Sequence, residues 1–280
     1  MRVLTFIVAL AAGVASPALA QGTPFGKTEI KSPTAAQWAA LAKLPDWSGV
    51  WQPTFRRPPP KPGEKPRGFT PPPKPVLTPS AQKLADAFEA GKKNGENLQT
   101  QLANCVPPGM PGIMSMPYPI EWLFTPGRVT LAIETESQVR RIYMDGRALP
   151  TDPDPQFNGT SVGHWEGDTL VVDTVGLTPE ITFTGGVHPS DKMRIHETYR
   201  LEDPNTLAGT ITLTDPETLA QPYTINATWT RHRDWTMREY VCQENNHDAS
   251  DAEGRPSMSL GLGKAYTYGP LPADDKKAGK

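Results

Sequence analysis

Gly159-Thr160-Ser161-Val162-Gly163-His164-Trp165-Glu166-Gly167-Asp168-Thr169-Leu170-Val171-Val172-Asp173-Thr174-Val175 is the stretch that decides the fold. Two runs rich in β-branched and aromatic residues, 159–166 and 169–175, flank the turn Glu166-Gly167-Asp168. A connection that short makes a hairpin. The pattern continues on both sides. Upstream, period two begins at Ile120; Val129, Leu131 and Ile133 alternate with polar residues, and Val139 to Asp145 follows, ending at the Asp145-Gly146 turn. Downstream, Met193–Leu201 and Thr206–Thr214 flank Glu202-Asp203-Pro204-Asn205, and Tyr223–Thr230 and Trp235–Val241 flank 231–234. This gives about nine strands with no helix-length segment between them, which excludes a parallel sheet. The expected fold is mainly β, an antiparallel meander within one domain, 46–247. Such a meander stacks as a sandwich or closes into a barrel. Closure removes the edge strands and, at this strand number, leaves a cavity for a small ligand, and a barrel is the expectation here.

The N-terminal side is different. Met1-Arg2, the apolar run Val3–Val14 and Ala18-Leu19-Ala20 read as a signal peptide over 1–20, cleaved after Ala20, with a periplasmic or secreted destination. Residues 21–45 are polar and expected to be loose, with a short helix in 35–44. Eleven prolines lie within 53–79, an extended polyproline-type strap. Helix 80–101 follows, with Ser80 as its expected cap and Leu84, Ala87 and Phe88 as its apolar stripe. Residues 248–280 are polar, Gly/Pro-rich and lysine-tailed, and are expected to be loose.

Composition narrows the functional classes. Of 280 residues 32 are Pro and 24 Gly, an excess that disfavours a mainly helical protein. A net charge of −2 disfavours nucleic-acid binding by counterion release. No long apolar run follows the leader, so no transmembrane segment is expected in the mature chain. HExxH, GxGxxG and P-loop patterns are absent, which disfavours zincins, nicotinamide dehydrogenases and kinases; no cofactor is expected. The two cysteines, Cys105 and Cys242, allow one intramolecular pairing, favoured in an oxidising compartment over two buried thiols.

Candidate chemistry comes from polar residues that interrupt apolar faces. Glu197 shares a face with Met193, Ile195, Tyr199 and Leu201, and Glu239 with Trp235, Met237 and Val241. A buried carboxylate needs a cation or a raised pKa. Arg141 and Tyr143 share a face with Val139, whereas Arg140 shares one with Ile142 and Met144. The catalytic candidates are therefore Glu197 as acid or base, Arg141 as anion stabiliser, Tyr143 as proton partner, and His188 in its loop at a barrel end. Structural burial of each Glu, and a solvated His188, are the competing readings. Trp122, Trp229 and Trp165 supply aromatic walls for a ligand, with Glu239 beside them. No metal site is expected: His188, His196 and His247 fit no ligand template, and Met110, Met114 and Met116 read as a loop over the core rather than soft copper ligands.

Arg140-Arg141-Ile142-Tyr143-Met144-Asp145-Gly146-Arg147, together with the stretch 159–174, resembles a largely uncharacterised family of secreted proteobacterial and acidobacterial proteins. The likeness spans most of 46–247, including Asp46–Trp51, the Cys105–Pro111 loop and the segment ending near Cys242. It implies an exported protein and no particular activity. Gly49-Val50-Trp51 also resembles the G-x-W opening of lipocalin-like (calycin) barrels, which implies a barrel with a ligand cavity.

Three functions compete. The first is a cofactor-independent enzyme, a lyase, isomerase or hydrolase acting on a small apolar or aromatic molecule. The second is a lipocalin-like periplasmic carrier of a hydrophobic small molecule. The third is a metal-binding protein.

Overall fold

The protein is described from a computed structural model over residues 32–54, 73–94, 105–240, 242, 248–250, 256–259 and 265–267. The leader 1–20, most of the strap and His247 lie outside the described residues. Nine strands form a closed barrel: β1 (Val50–Pro53), β2 (Ile120–Thr125), β3 (Arg128–Ile133), β4 (Gln138–Tyr143), β5 (Thr160–Glu166), β6 (Thr169–Val175), β7 (Arg194–Asp203), β8 (Thr206–Thr214) and β9 (Tyr223–His232). They pair in chain order, and β9 returns to β1 with Trp51 opposite Arg231. The hairpin read from 159–175 is β5–β6, with Ser161 opposite Thr174.

One joint departs from the expected antiparallel meander. β4 and β5 run parallel and share two residue pairs, Ile142–Ser161 and Tyr143–Val162. A parallel neighbour requires a connection of a dozen or more residues. The 144–159 segment supplies it and carries the chain back to the end of the barrel where β4 began.

Alternation then assigns the faces. Trp51, Ile120, Trp122, Leu131, Arg140, Ile142, Ser161, Leu170, Val172, Thr174, Ile195, Glu197, Tyr199, Ile211 and Trp229 point inward and are buried. The barrel ends differ. At one end the long connections gather Met110, Ile113, Met114, Leu177, Ile181 and Leu219, all buried, so the methionine loop covers core as expected. At the other end lie the short turns after β2 and β5 and the entry to β1. There Trp47, just before β1, enters the interior. Its ring meets Trp122, Phe124 and Trp165 edge-on at centroid distances of 5.1, 5.6 and 5.6 Å. Gly209 is needed beside these rings: a Cβ there would lie 2.8 Å from both Trp229 and Tyr199.

Helix α1 (Ala35–Leu41) is the short helix expected within 35–44. Helix α2 spans Pro79–Lys93 and starts one residue earlier than expected; 95–101 of the expected helix lie outside the described residues. Thr78, not Ser80, is its cap and accepts from the Ala81 amide at 3.3 Å, because Pro79 fits the first helical position, where no N–H is required. Its contact residue is Phe88, half-buried against Gly185 and Gly186; Leu84, expected on the stripe, is exposed. Gly186 has φ +72°, and a Cβ there would lie 2.7 Å from the Phe88 side chain.

Beyond β9 the expected strand 235–241 does not form over its described residues, 235–240. The ladder position beside β9 is already held by β1, so a tenth strand has no place. Residues 233–240 instead run back to the covered end. There the Arg238 amide donates to Glu134 (2.9 Å), Ser137 donates to the Tyr240 carbonyl (3.1 Å), and Cys242 is bonded to Cys105. A crosslink across 137 residues stabilises by about 5 kcal/mol on the chain-entropy account. Within the segment read as a loose tail, Asp248–Ser250, Pro256–Ser259 and Ala265–Thr267 pair as a separate three-stranded sheet.

Candidate functional site

Glu197 lies inside the barrel, as its place on the Ile195–Tyr199 face suggests, and is fully buried. Its cation is Arg140, not Arg141. The guanidinium holds the carboxylate two-pronged: Nη1 donates to Oε1 at 2.9 Å, and Nη2 pairs with Oε2. Nη2 also donates to Ser161 Oγ (3.1 Å) and Thr174 Oγ1 (3.0 Å), and these two hydroxyls bond each other at 2.8 Å. The Tyr199 hydroxyl donates to Glu197 Oε1. Burial works against the Arg140 charge, but the Glu197 carboxylate outweighs it and raises its pKa above the usual guanidinium value. Burial, reinforced by Glu197, pushes the Tyr199 hydroxyl well above the usual phenol value.

This network ties β4, β5, β6 and β7 together across the seam where backbone pairing amounts to two residue pairs. Its members are 0–1% exposed. Trp122 and Trp229 pack against Tyr199 at 5.0 and 5.7 Å, and with Trp47 their rings fill the space in which a ligand was expected. Such an arrangement can hold a charge pair and a protonated tyrosine in place. Glu197 itself has no exposed surface.

The other expected residues lie elsewhere. Arg141 is exposed and Tyr143 half-exposed on the outer face of β4, because the register puts Arg140 and Ile142 inward against Leu131 and Val129. Tyr143 carries the Arg147 guanidinium 3.9 Å from its ring centre. His188 is exposed, with Nδ1 2.8 Å from the carbonyl of Ile181, and does not meet Glu197. Glu239 is exposed on the returning segment, away from any barrel face. His196 bonds Asp173 on the outer wall at 2.8 Å. Among the described residues, no three His, Cys, Asp or Glu side chains gather as a metal site.

Trp165, by contrast, lies at the open end. With Phe124, tilted 39° to it at 6.0 Å, it forms one wall of a cavity of about 350 Å³. Val129 and Met144 complete the barrel side. The opposite wall is α1 and the turn after it. Gln37, Ala40, Leu41 and Leu44 recur at three- and four-residue spacing, so one helical face looks onto the cavity. Gln37, Thr125 and His164 carry the polar side chains of the lining, and His164 Nε2 lies 2.9 Å from Glu166 Oε1. The α1 contribution was missed from the sequence, where Ala35–Leu44 gave a helix but no partner for its apolar face. A second, polar cavity of about 570 Å³ opens on the flank of the barrel beside β4 and 155–160.

No protein-family model matches this chain, and no curated protein matches it.

Proposed function

We propose that this protein is a lipocalin-like carrier that binds a small, flat, apolar or aromatic molecule at the open end of its barrel, between α1 and the Phe124–Trp165 wall. The observation that carries this reading is the aromatic-walled cavity of about 350 Å³, a size at the lower end of ligand sites, next to a charge pair sealed from it by packed rings. A catalytic role for Glu197 has less support, because the carboxylate is fully buried and is held by Arg140 and Tyr199. The polar rim, Gln37 and His164, suits a ligand with one polar end. Export belongs to the same reading, on the strength of the leader-like 1–20 segment and the Cys105–Cys242 bridge.

Titration with N-phenyl-1-naphthylamine, a neutral aromatic fluorophore, tests it. Saturable fluorescence enhancement is expected with a Kd of about 10–200 μM, from the usual efficiency per ligand atom. Trp165→Ala and Leu41→Asp should each weaken binding by about tenfold or more while leaving the melting transition cooperative. Non-saturable enhancement, or wild-type affinity in both variants, would remove the carrier reading from this cavity.

A further inference from the structure

We propose that the flank of the barrel between β4 and β5 is a second binding site, one that takes the oxyanion group of a small polyhydroxylated molecule. It is independent of the apolar site at the open end. The site originates in the irregular joint of the wall. Because β4 and β5 share only two residue pairs, Gln138–Arg141 has no strand beside it on that side among the described residues. The 155–160 stretch borders the gap without filling it, and the cavity of about 570 Å³ results.

Three observations on its lining converge. Arg141 is exposed on the cavity wall and has no hydrogen-bond or ion-pair partner among the described residues. Its planar fork is always charged and matches a carboxylate or a phosphate with two parallel donors. The neighbouring cation is already committed: Arg147 holds both carboxylate oxygens of Asp145 and stacks on Tyr143. The anion's partner is thus Arg141, and the Asp145 charge is neutralised where it stands. On the same lining, Asn158 donates to Gln138 Oε1 at 3.4 Å, while its own Oδ1 is buried without a partner among the described residues. A buried acceptor left unpaired is destabilising, and a ligand hydroxyl donating to it would relieve that. Gln156 adds a further amide to the lining. A guanidinium without a partner and an amide residue with an unpaired oxygen on the lining of one cavity suit a molecule with an acid group at one end and hydroxyls at the other. Sugar acids and sugar phosphates share that chemistry.

Calorimetric titration of the disulfide-intact protein with glucuronate, glucose 6-phosphate and glucose tests the site. At least one of the two charged sugars should bind saturably and at least about tenfold more tightly than glucose, weakening as NaCl rises from about 20 to about 200 mM. Arg141→Ala should lower that affinity by about tenfold or more, whereas Arg200→Ala, exposed on β7, should leave it unchanged. Preference for glucuronate would make the anion a carboxylate, and preference for glucose 6-phosphate a phosphate; either supports the site. If neither binds more tightly than glucose, or if Arg141→Ala binds as the wild type does, the proposal is overturned.

Discussion

Arg140→Met should cost about 3–5 kcal/mol of unfolding free energy, because it leaves the Glu197 carboxylate charged, buried and without its cation. The loss should show as a lower urea midpoint at unchanged slope, the signature of altered stability with the same exposed surface. Glu197→Leu should cost a similar amount by stranding the guanidinium. The combination Arg140→Met, Glu197→Leu and Tyr199→Phe should recover most of it, since it removes both charges and the hydroxyl that would otherwise be left unpaired; Ser161 and Thr174 retain each other at 2.8 Å. Amide exchange gives an independent readout. Protection in β4 and β5 should fall first in the single variants, because this network bridges the joint that has only two backbone pairs. A triple variant no more stable than either single one would show that the network holds the seam by something other than charge compensation.

Trp47→Ala should cost about 3–5 kcal/mol, the usual range for deleting a fully packed aromatic. The ring is 1% exposed, and three other aromatic rings lie edge-on to it within 5.6 Å. Its backbone is also engaged: the Trp47 carbonyl accepts the Trp51 indole N–H at 2.9 Å. The ring touches both the Phe124–Trp165 wall of the open-end cavity and Trp122, which packs on Tyr199, so its removal should also let N-phenyl-1-naphthylamine bind deeper and more tightly. A loss below about 1 kcal/mol in thermal or urea unfolding would place Trp47 outside the core.

The strand signals were the most legible part of the sequence. The 159–175 hairpin, the strands on either side of it and the disulfide follow from alternation, turn residues and cysteine parity. Glu197 stood out for a physical reason: a carboxylate among Ile195, Tyr199 and Leu201 requires a partner. The partner's identity was less visible. Adjacent arginines on one strand point to opposite faces, and register, which selects the inner one, leaves no mark on a single chain. The placement of Arg140 with Ile142 and Met144 was the available clue. Glu239 misled because alternation over 235–241 resembles a strand, while whether β9 has a vacant neighbour depends on β1, nearly two hundred residues away. The parallel joint had one sign, the length of 144–159, too long for a hairpin. Trp47 had none: a residue before a strand carries no periodicity, and only the closed barrel turns it inward.

The central claim is that ligand binds at the open end and that the barrel interior is packed core. Indole N–H resonances of assigned, ¹⁵N-labelled protein titrated with N-phenyl-1-naphthylamine test it most directly. The account predicts a saturable shift of the Trp165 indole, on the cavity wall, with the Trp229 indole unmoved beside Tyr199. A shift of Trp229 with Trp165 unmoved would put the ligand inside the barrel, beside the Arg140–Glu197 pair, and would contradict it.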